Sequence, residues 1–270
     1  MEREIAVDTS DEGMVRAIED NLCECCRSLG GLEGATLYDD PEMVYVVTGR
    51  PGSFFNCVAR ARLAAGPVDA RVEEAVGRFR ARGVAGRWWT GPLTTPADLG
   101  SRLEEHGFGP RLDAPGMGLD LAGMGEEVEE PPGVDIEHVE DQARLAQWSF
   151  VCSRGFGMGE VEVRAWHEAY AEVGLGPELP WQHFVAIREG EPVATSSLFL
   201  GGGVAGLYHV VTMPVARGQG IGAAVTAVAL HSARRLGYRI AVLQATEMGA
   251  PVYRRLGFRE FCTLGLYFLG

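Results

Sequence analysis

A strand-like run from Ala205 to Met213 leads through Pro214 into Arg217-Gly-Gln-Gly220-Ile-Gly222, and a long helix-like run follows from about Gly220 to Leu236, stopping at Gly237. Three glycines at a strand-to-helix junction commit this part of the chain to α/β architecture. They also suggest a ligand. A helix N-terminus presents unpaired backbone N–H groups and a partial positive charge, and glycine lets an anion reach that backbone without Cβ obstruction. The expected anion is a phosphate or pyrophosphate.

Composition removes several alternatives. All 24 basic residues among the 270 are arginine, so chemistry that requires lysine (a Walker-type phosphate lysine, a Schiff base, a pyridoxal enzyme) is excluded. A formal net charge of −13 argues against nucleic acid, because a duplex binder needs a basic stripe. The charge is uneven: residues 1–130 hold 24 acids against 13 arginines, residues 131–270 only 13 against 11. An anion approaching the glycine loop therefore meets little repulsion. No apolar run is long enough to span a bilayer, and the acidic start has no signal-peptide character, so no membrane association and a cytoplasmic location are expected. The six cysteines, Cys23, Cys25, Cys26, Cys57, Cys152 and Cys262, then read as free thiols. Cys23-x-x-Cys26 is half of a zinc spacing, but it lies in the helical run Met14–Leu29 with no second pair, so no metal is expected.

The acidic, Pro- and Gly-rich stretch Gly123–Gly133 reads as a linker. It divides the chain into residues 1–125 and 134–270. In the second half strands are expected at Val134–His138, Trp181–Arg188, Val193–Leu200, Ala205–Met213, Ile240–Gln244 and Phe261–Leu269. Helices are expected at Asp141–Cys152, Val161–Val173, Gly220–Leu236 and Met248–Leu256. The first half repeats part of this order. A strand at Trp88–Pro92, a helix within Pro96–Phe108 ending in Gly107-Phe108, and a strand at Met117–Leu121 parallel Ile240–Leu269, with a further helix at Asp69–Arg82. Leu103 stands where the second half has Tyr253, and Ala65-Gly-Pro-Val68 stands where it has the glycine loop. The alternative for this half is an unrelated α/β cap.

Gly218-x-Gly220-x-x-Ala223, with Glu247 downstream, also fits a dinucleotide fingerprint. Against it, Pro214–Arg217 intervenes between strand and glycines, and too few residues follow for the βα units such a fold needs. Arg217-x-x-Gly220-x-Gly222, followed some thirty residues on by Tyr253-Arg-Arg-Leu-Gly257-Phe258, resembles instead the GNAT superfamily of acyl-CoA-dependent N-acetyltransferases. The resemblance covers residues 134–270. It implies an α/β fold of two GNAT-like mixed-sheet domains in tandem, the C-terminal one complete and the N-terminal one degenerate.

The resemblance also implies site residues. Arg217, Gly218, Gln219, Gly220, Ile221 and Gly222 would hold the pyrophosphate of coenzyme A through backbone N–H groups. Val211, Thr212 and Met213 on one side, and Gln244, Ala245 and Thr246 on the other, would flank the pantetheine arm where two strands splay. An N–H near Val211 or Thr212 would polarise the thioester carbonyl, and Tyr253 would protonate the departing thiolate. His209 is the candidate base. Simple alternation puts it and Tyr208 on opposite faces of the strand, and a water chain is the alternative. The expected activity is transfer of an acetyl group from acetyl-CoA to a primary amine of a small molecule or peptide, with a longer acyl-CoA or a non-catalytic acyl-CoA-binding module as alternatives. The apolar last strand offers an edge for a possible homodimer.

Overall fold

The computed structural model describes residues 4–64, 66–125 and 131–270. Ala65 and the middle of the expected linker, residues 126–130, lie outside them. The elements in order are α1 (Asp11–Ser28), β1 (Thr36–Asp39), β2 (Met43–Val47), β3 (Asn56–Ala61), α2 (Val68–Ala81), β4 (Gly86–Thr90), α3 (Leu99–Glu105) and β5 (Leu112–Asp120). There follow β6 (Val134–His138), α4 (Gln142–Gly155), α5 (Glu160–Val173), β7 (Trp181–Arg188), β8 (Glu191–Gly201), β9 (Val204–Thr212), α6 (Ile221–Arg235), β10 (Ile240–Gln244), α7 (Ala250–Arg255) and β11 (Arg259–Leu269). The fold class is the mixed α/β expected.

All eleven strands join one sheet in the order β1-β2-β3-β4-β11-β5-β10-β9-β8-β7-β6. Each half builds a parallel pair, β3 with β4 and β9 with β10, and then sends its last strand across to the other half. β5 pairs antiparallel with β10, β11 pairs antiparallel with β4, and the two exchanged strands pair with each other in the middle. β11 is therefore interior. The expectation that it offers a free edge is corrected, because β4 and β5 pair with its backbone on both sides.

Helices cover both faces, which explains why β2 and most of β10 read as continuous apolar runs. In β10, Ile240 and Val242 point to the core shared with α1, α4 and α5, while Ala241 and Leu243 point to the core under α6 and α7. In β4, Trp89 faces the first of these cores and Trp88 the core under α2 and α3. Helix α1 begins at Ser10, whose hydroxyl accepts from the Gly13 N–H at 3.1 Å, and buries Met14, Ile18, Leu22 and Cys25 on one stripe. Cys23 and Cys26 are also buried, behaving as small apolar residues.

Helix α1 also ties the halves together. Asn21 is fully buried, and its amide donates to the carbonyls of Phe199 (3.3 Å) and Gly201 (2.8 Å) while accepting from the Tyr208 hydroxyl (2.8 Å). A Cβ at Gly206 would run into the Asn21 amide, so glycine there lets helix and strand approach. Arg50 and Glu172 form an ion pair between the halves at 2.5 Å. Replacing Asn21 with Leu keeps the volume but leaves the Tyr208 hydroxyl without its acceptor and removes the amide's two bonds to main-chain carbonyls. Urea unfolding should show a loss of about 2–4 kcal/mol. A loss under about 0.5 kcal/mol would mean that apolar packing alone holds α1 in place.

Candidate active site

Strands β9 and β10 run parallel but are in register only at Ala205–Ala241 and Gly206–Val242. Beyond these pairs β9 continues to Thr212 unaccompanied by β10, which turns away after Gln244. A bulge contributes to the separation. The β8–β9 register shifts between Thr195 and Ser197, leaving His209 and Val210 opposite Ser196, and His209 takes a left-handed φ of 52°. The Thr195 hydroxyl stabilises the kink by donating to the His209 carbonyl at 2.8 Å. Since the N–H of Met213 donates to the Val193 carbonyl, alternation turns the N–H of Thr212 toward the opening. The Thr212 carbonyl is taken by Arg217 Nε at 3.1 Å.

The glycine loop lies at the open end. Pro214–Ala216 form a 3₁₀ turn, and α6 starts at Ile221 behind Gly220, whose φ of 79° favours glycine. Among the described residues the N–H groups of Gly218 to Ala223 have no protein acceptor, and the first loop-to-helix bond is from Ala224 to the Gly220 carbonyl. Residues Arg217–Gly220 are exposed, and a Cβ at Gly218 would meet nothing within 4 Å. Gly222 has a packing reason: its Cβ would stand 2.7 Å from Thr212 Oγ1. Gln219 folds onto the loop by bonding to the Val215 carbonyl at 3.2 Å, and Arg188 donates to Gln219 Oε1 at 2.5 Å. Among the described residues neither Arg188 nor Arg217 has a carboxylate within 4 Å, so two guanidinium charges border the free N–H groups. Arg188 has no sequence signal; it is the last residue of a hairpin strand brought here by the sheet.

On the opposite wall, alternation gives Gln244 the face of Val242, and its amide nitrogen is buried without a partner. Thr246 closes the turn into α7, its Oγ1 accepting from the Gly249 N–H at 3.1 Å. Tyr253 on α7 is buried edge-on against Phe258 (5.9 Å), with no protein partner for its hydroxyl among the described residues. Burial pushes its pKa well up, so the phenol holds its proton at neutral pH.

His209 does not sit as alternation implies. The bulge turns both Tyr208 and His209 toward the core shared with α4 and α5, and both rings lie against Trp181 at 5.6 and 5.4 Å. His209 is boxed by Trp148, Trp166 and Tyr170, and its Nε2 is 3.3 Å from the Tyr170 hydroxyl while Nδ1 has no partner. Burial, with smaller contributions from His183 and Arg87, lowers its pKa well below 6.5. A ring so held is a weaker proton acceptor than a free imidazole.

At the end of β3, which pairs in parallel with β4 as β9 does with β10, the space beside the strand is filled by the chain itself. The Thr95 N–H donates to the Ala61 carbonyl at 3.1 Å, and the Leu63 N–H donates to the Thr95 carbonyl at 3.0 Å. A cavity of about 460 Å³ near Thr90, Ser101, Glu104, Arg111 and Tyr267 lies in this first half, on the α3 side. Its arginine is already paired with Asp113 at 2.6 Å, and it lies away from the β9–β10 opening and the glycine loop. Among the described residues no group of His, Cys, Asp and Glu could hold a metal ion, and no helix is long and apolar enough to cross a membrane.

Residues 180–260 match the family model described as an acetyltransferase (GNAT) domain. No curated protein matches the chain. The fold is similar to a GCN5-related N-acetyltransferase from Kribbella flavida (TM-score 0.70, 19% identity, covering 92% of this chain and 95% of that one). It is also similar to a GCN5-related N-acetyltransferase from Sphaerobacter thermophilus (0.61, 18%, 94% and 92%). A tandem GNAT protein from the clavulanic acid biosynthesis pathway matches over 98% of this chain and 97% of its own, with TM-score 0.61 and 13% identity.

Acid should reveal the buried histidines. His183 is 1% exposed, with Nδ1 2.8 Å from Ser197 Oγ, and burial lowers its pKa from 6.5 to about 3. The unfolded chain therefore binds a proton near pH 6.5 that the folded chain refuses until about pH 3. Stability is full above pH 6.5 and falls as pH drops through that window, by about 2 kcal/mol at pH 5 from His183, with His209 adding in the same direction. Urea titrations at pH 7.5 and 5 measure this. Equal unfolding free energies would show that these rings are protonated in the folded protein.

Proposed function

We propose that this chain, which carries a GNAT acetyltransferase domain at residues 180–260, moves an acetyl group from acetyl-CoA to a primary amine of a small molecule or peptide. The observation that carries the reading is the gap between β9 and β10 ending on a loop whose N–H groups have no protein acceptor. Arg217, Gly218, Gln219, Gly220, Ile221 and Gly222 hold the pyrophosphate, with Arg217 and Arg188 supplying charge. The pantetheine arm lies between Val211–Met213 and Gln244–Thr246, and the Thr212 N–H donates to the thioester oxygen as it becomes an oxyanion. The amine lone pair forms the C–N bond and the C–S bond breaks. Tyr253 gives its proton to the sulfur, and the amine's proton passes to water. His209 shapes the wall.

In this reading residues 1–125 are a worn copy of residues 134–270. Leu103, fully buried, stands in place of Tyr253. Thr95 makes the two backbone bonds at β3 that a pantetheine arm makes at β9.

A Cβ at Gly220 would have only Pro131 nearby, at 3.7 Å, so Gly220→Val is without a clash in the free protein, although φ there disfavours valine. Calorimetry should find coenzyme A affinity reduced roughly tenfold or more with the fold retained by circular dichroism. Unchanged affinity would put the anion elsewhere.

Tyr253→Phe keeps the ring and its contact with Phe258 and removes only the hydroxyl. Turnover at saturating acetyl-CoA should fall by on the order of 10²-fold while donor affinity stays nearly constant. A wild-type rate, or lost coenzyme binding, would each remove the general-acid assignment. Tight coenzyme binding without transfer to any amine in a broad panel would make the protein a binding module.

A further inference from the structure

Helices α4 and α6 approach β9 from opposite faces at the coenzyme opening, and each does so through a glycine. On the α6 side this is Gly222, where a Cβ would stand 2.7 Å from Thr212 Oγ1. On the α4 side it is Gly155, the last residue of the helix, whose backbone has no left-handed φ. Glycine costs stability in a helix, and nothing in the conformation of Gly155 calls for it. Its reason is space. A Cβ there would run into Val211 Cγ1 and stand 3.1 Å from both Val211 Cβ and Cγ2, so the valine side chain is seated directly on the helix backbone.

Val211 is held in that seat. Thr212 faces α6, so alternation turns Val211 to α4, where it is 7% exposed. Its β-branched side chain has few rotamers to retreat into. The wall behind it is closed as well. Trp148 and Cys152 of α4 are fully buried, and His209, two residues back along β9, lies 5.5 Å from Trp148 and 5.0 Å from Trp166. An apolar chain entering on this face of β9 meets a packed core that cannot give by even a methylene without cost.

We infer that Val211, braced by Gly155, sets the length of the acyl group, admitting acetyl and excluding butyryl and longer chains. The inference rests on the acyl-transfer reading above and names the donor class for it. In that reading the Thr212 N–H holds the thioester oxygen and the pantetheine arm holds the sulfur. The third substituent of the carbonyl carbon then lies along β9. On the α6 face Thr212 and Gly222 are already in contact, and on the α4 face the side chain it meets is Val211. A methyl group fits against the valine. Each further methylene must displace Val211, for which Gly155 leaves no room, or move α4 together with the aromatic box. Steric stops of this kind discriminate by roughly 10–200-fold per methylene.

The test is calorimetry on the full chain with coenzyme A, acetyl-CoA, propionyl-CoA and butyryl-CoA, in the absence of any amine. Acetyl-CoA should bind the wild-type protein roughly tenfold or more tighter than butyryl-CoA, with propionyl-CoA between them. Val211→Ala removes two methyl groups from the stop and should bring the acetyl-to-butyryl difference below about threefold. Gly155→Ala suits a helix but drives Val211 toward the opening. It should weaken acetyl-CoA by roughly tenfold relative to coenzyme A, which carries no acyl group. Each variant serves if the other does not fold. Equal binding of the three thioesters to the wild-type protein overturns the inference. So does an acetyl-to-butyryl difference that survives in Val211→Ala, or a Gly155→Ala protein that keeps the wild-type ratio of acetyl-CoA to coenzyme A affinity. Failure of coenzyme A itself to bind would be read in the same titration and would count against the acyl-transfer reading instead.

Discussion

Neither half of this chain closes its own sheet. After the parallel pair β3–β4, and again after β9–β10, the outer strand exposes a row of backbone N–H and C=O groups that must find a partner. Each half supplies the strand that the other needs, β5 to β10 and β11 to β4, so main-chain ladders run across the join beside the side-chain contacts. Helix α1, anchored through Asn21, packs across strands of both halves on one face of the sheet thus formed. The aromatic box depends on this arrangement, because Phe54 and Phe55 of the first half pack against Trp166 of the second.

Within that frame the site follows from a local failure of pairing. The left-handed His209 and its bulge help part β9 from β10, and the gap leads to a loop whose glycines leave N–H groups unclaimed. The same topology in the first half gives the opposite result. There Thr95 occupies the space beside Ala61–Leu63, and no glycine-rich turn precedes α2. The formal charge of −13 is borne mostly by that half and its linker, while Arg188 and Arg217 stand free of carboxylates at the loop. The local field is favourable to an anion even though the whole molecule is acidic.

Much of the second half was legible in the sequence. Gly237, Gly257 and the turn at Glu189–Pro192 punctuate it sharply, so the expected β6, β7 and β10 have the observed bounds and the rest differ by a residue or a few. The strands β1, β2 and β3 lay outside the sequence reading, although the run Met43–Val47 carries β-branched residues suited to a strand covered on both faces. Exchange of β5 and β11 was not legible, because a strand's pattern reports which faces are buried and not which neighbour supplies its hydrogen bonds. Tyr208 and His209 were set on opposite faces because period-two alternation fails at a bulge. Arg188 carries no motif, and only tertiary structure brings it to the glycine loop and leaves its charge without a carboxylate.

The central claim is that one half offers an open coenzyme cleft and the other has closed its own. A calorimetric titration of the full chain with coenzyme A addresses it directly. The account predicts one site per chain, with affinity lost when the Arg217–Gly222 loop is altered and kept when Thr95 is replaced. Two equivalent sites, or a single site that survives alteration of the loop, would contradict it.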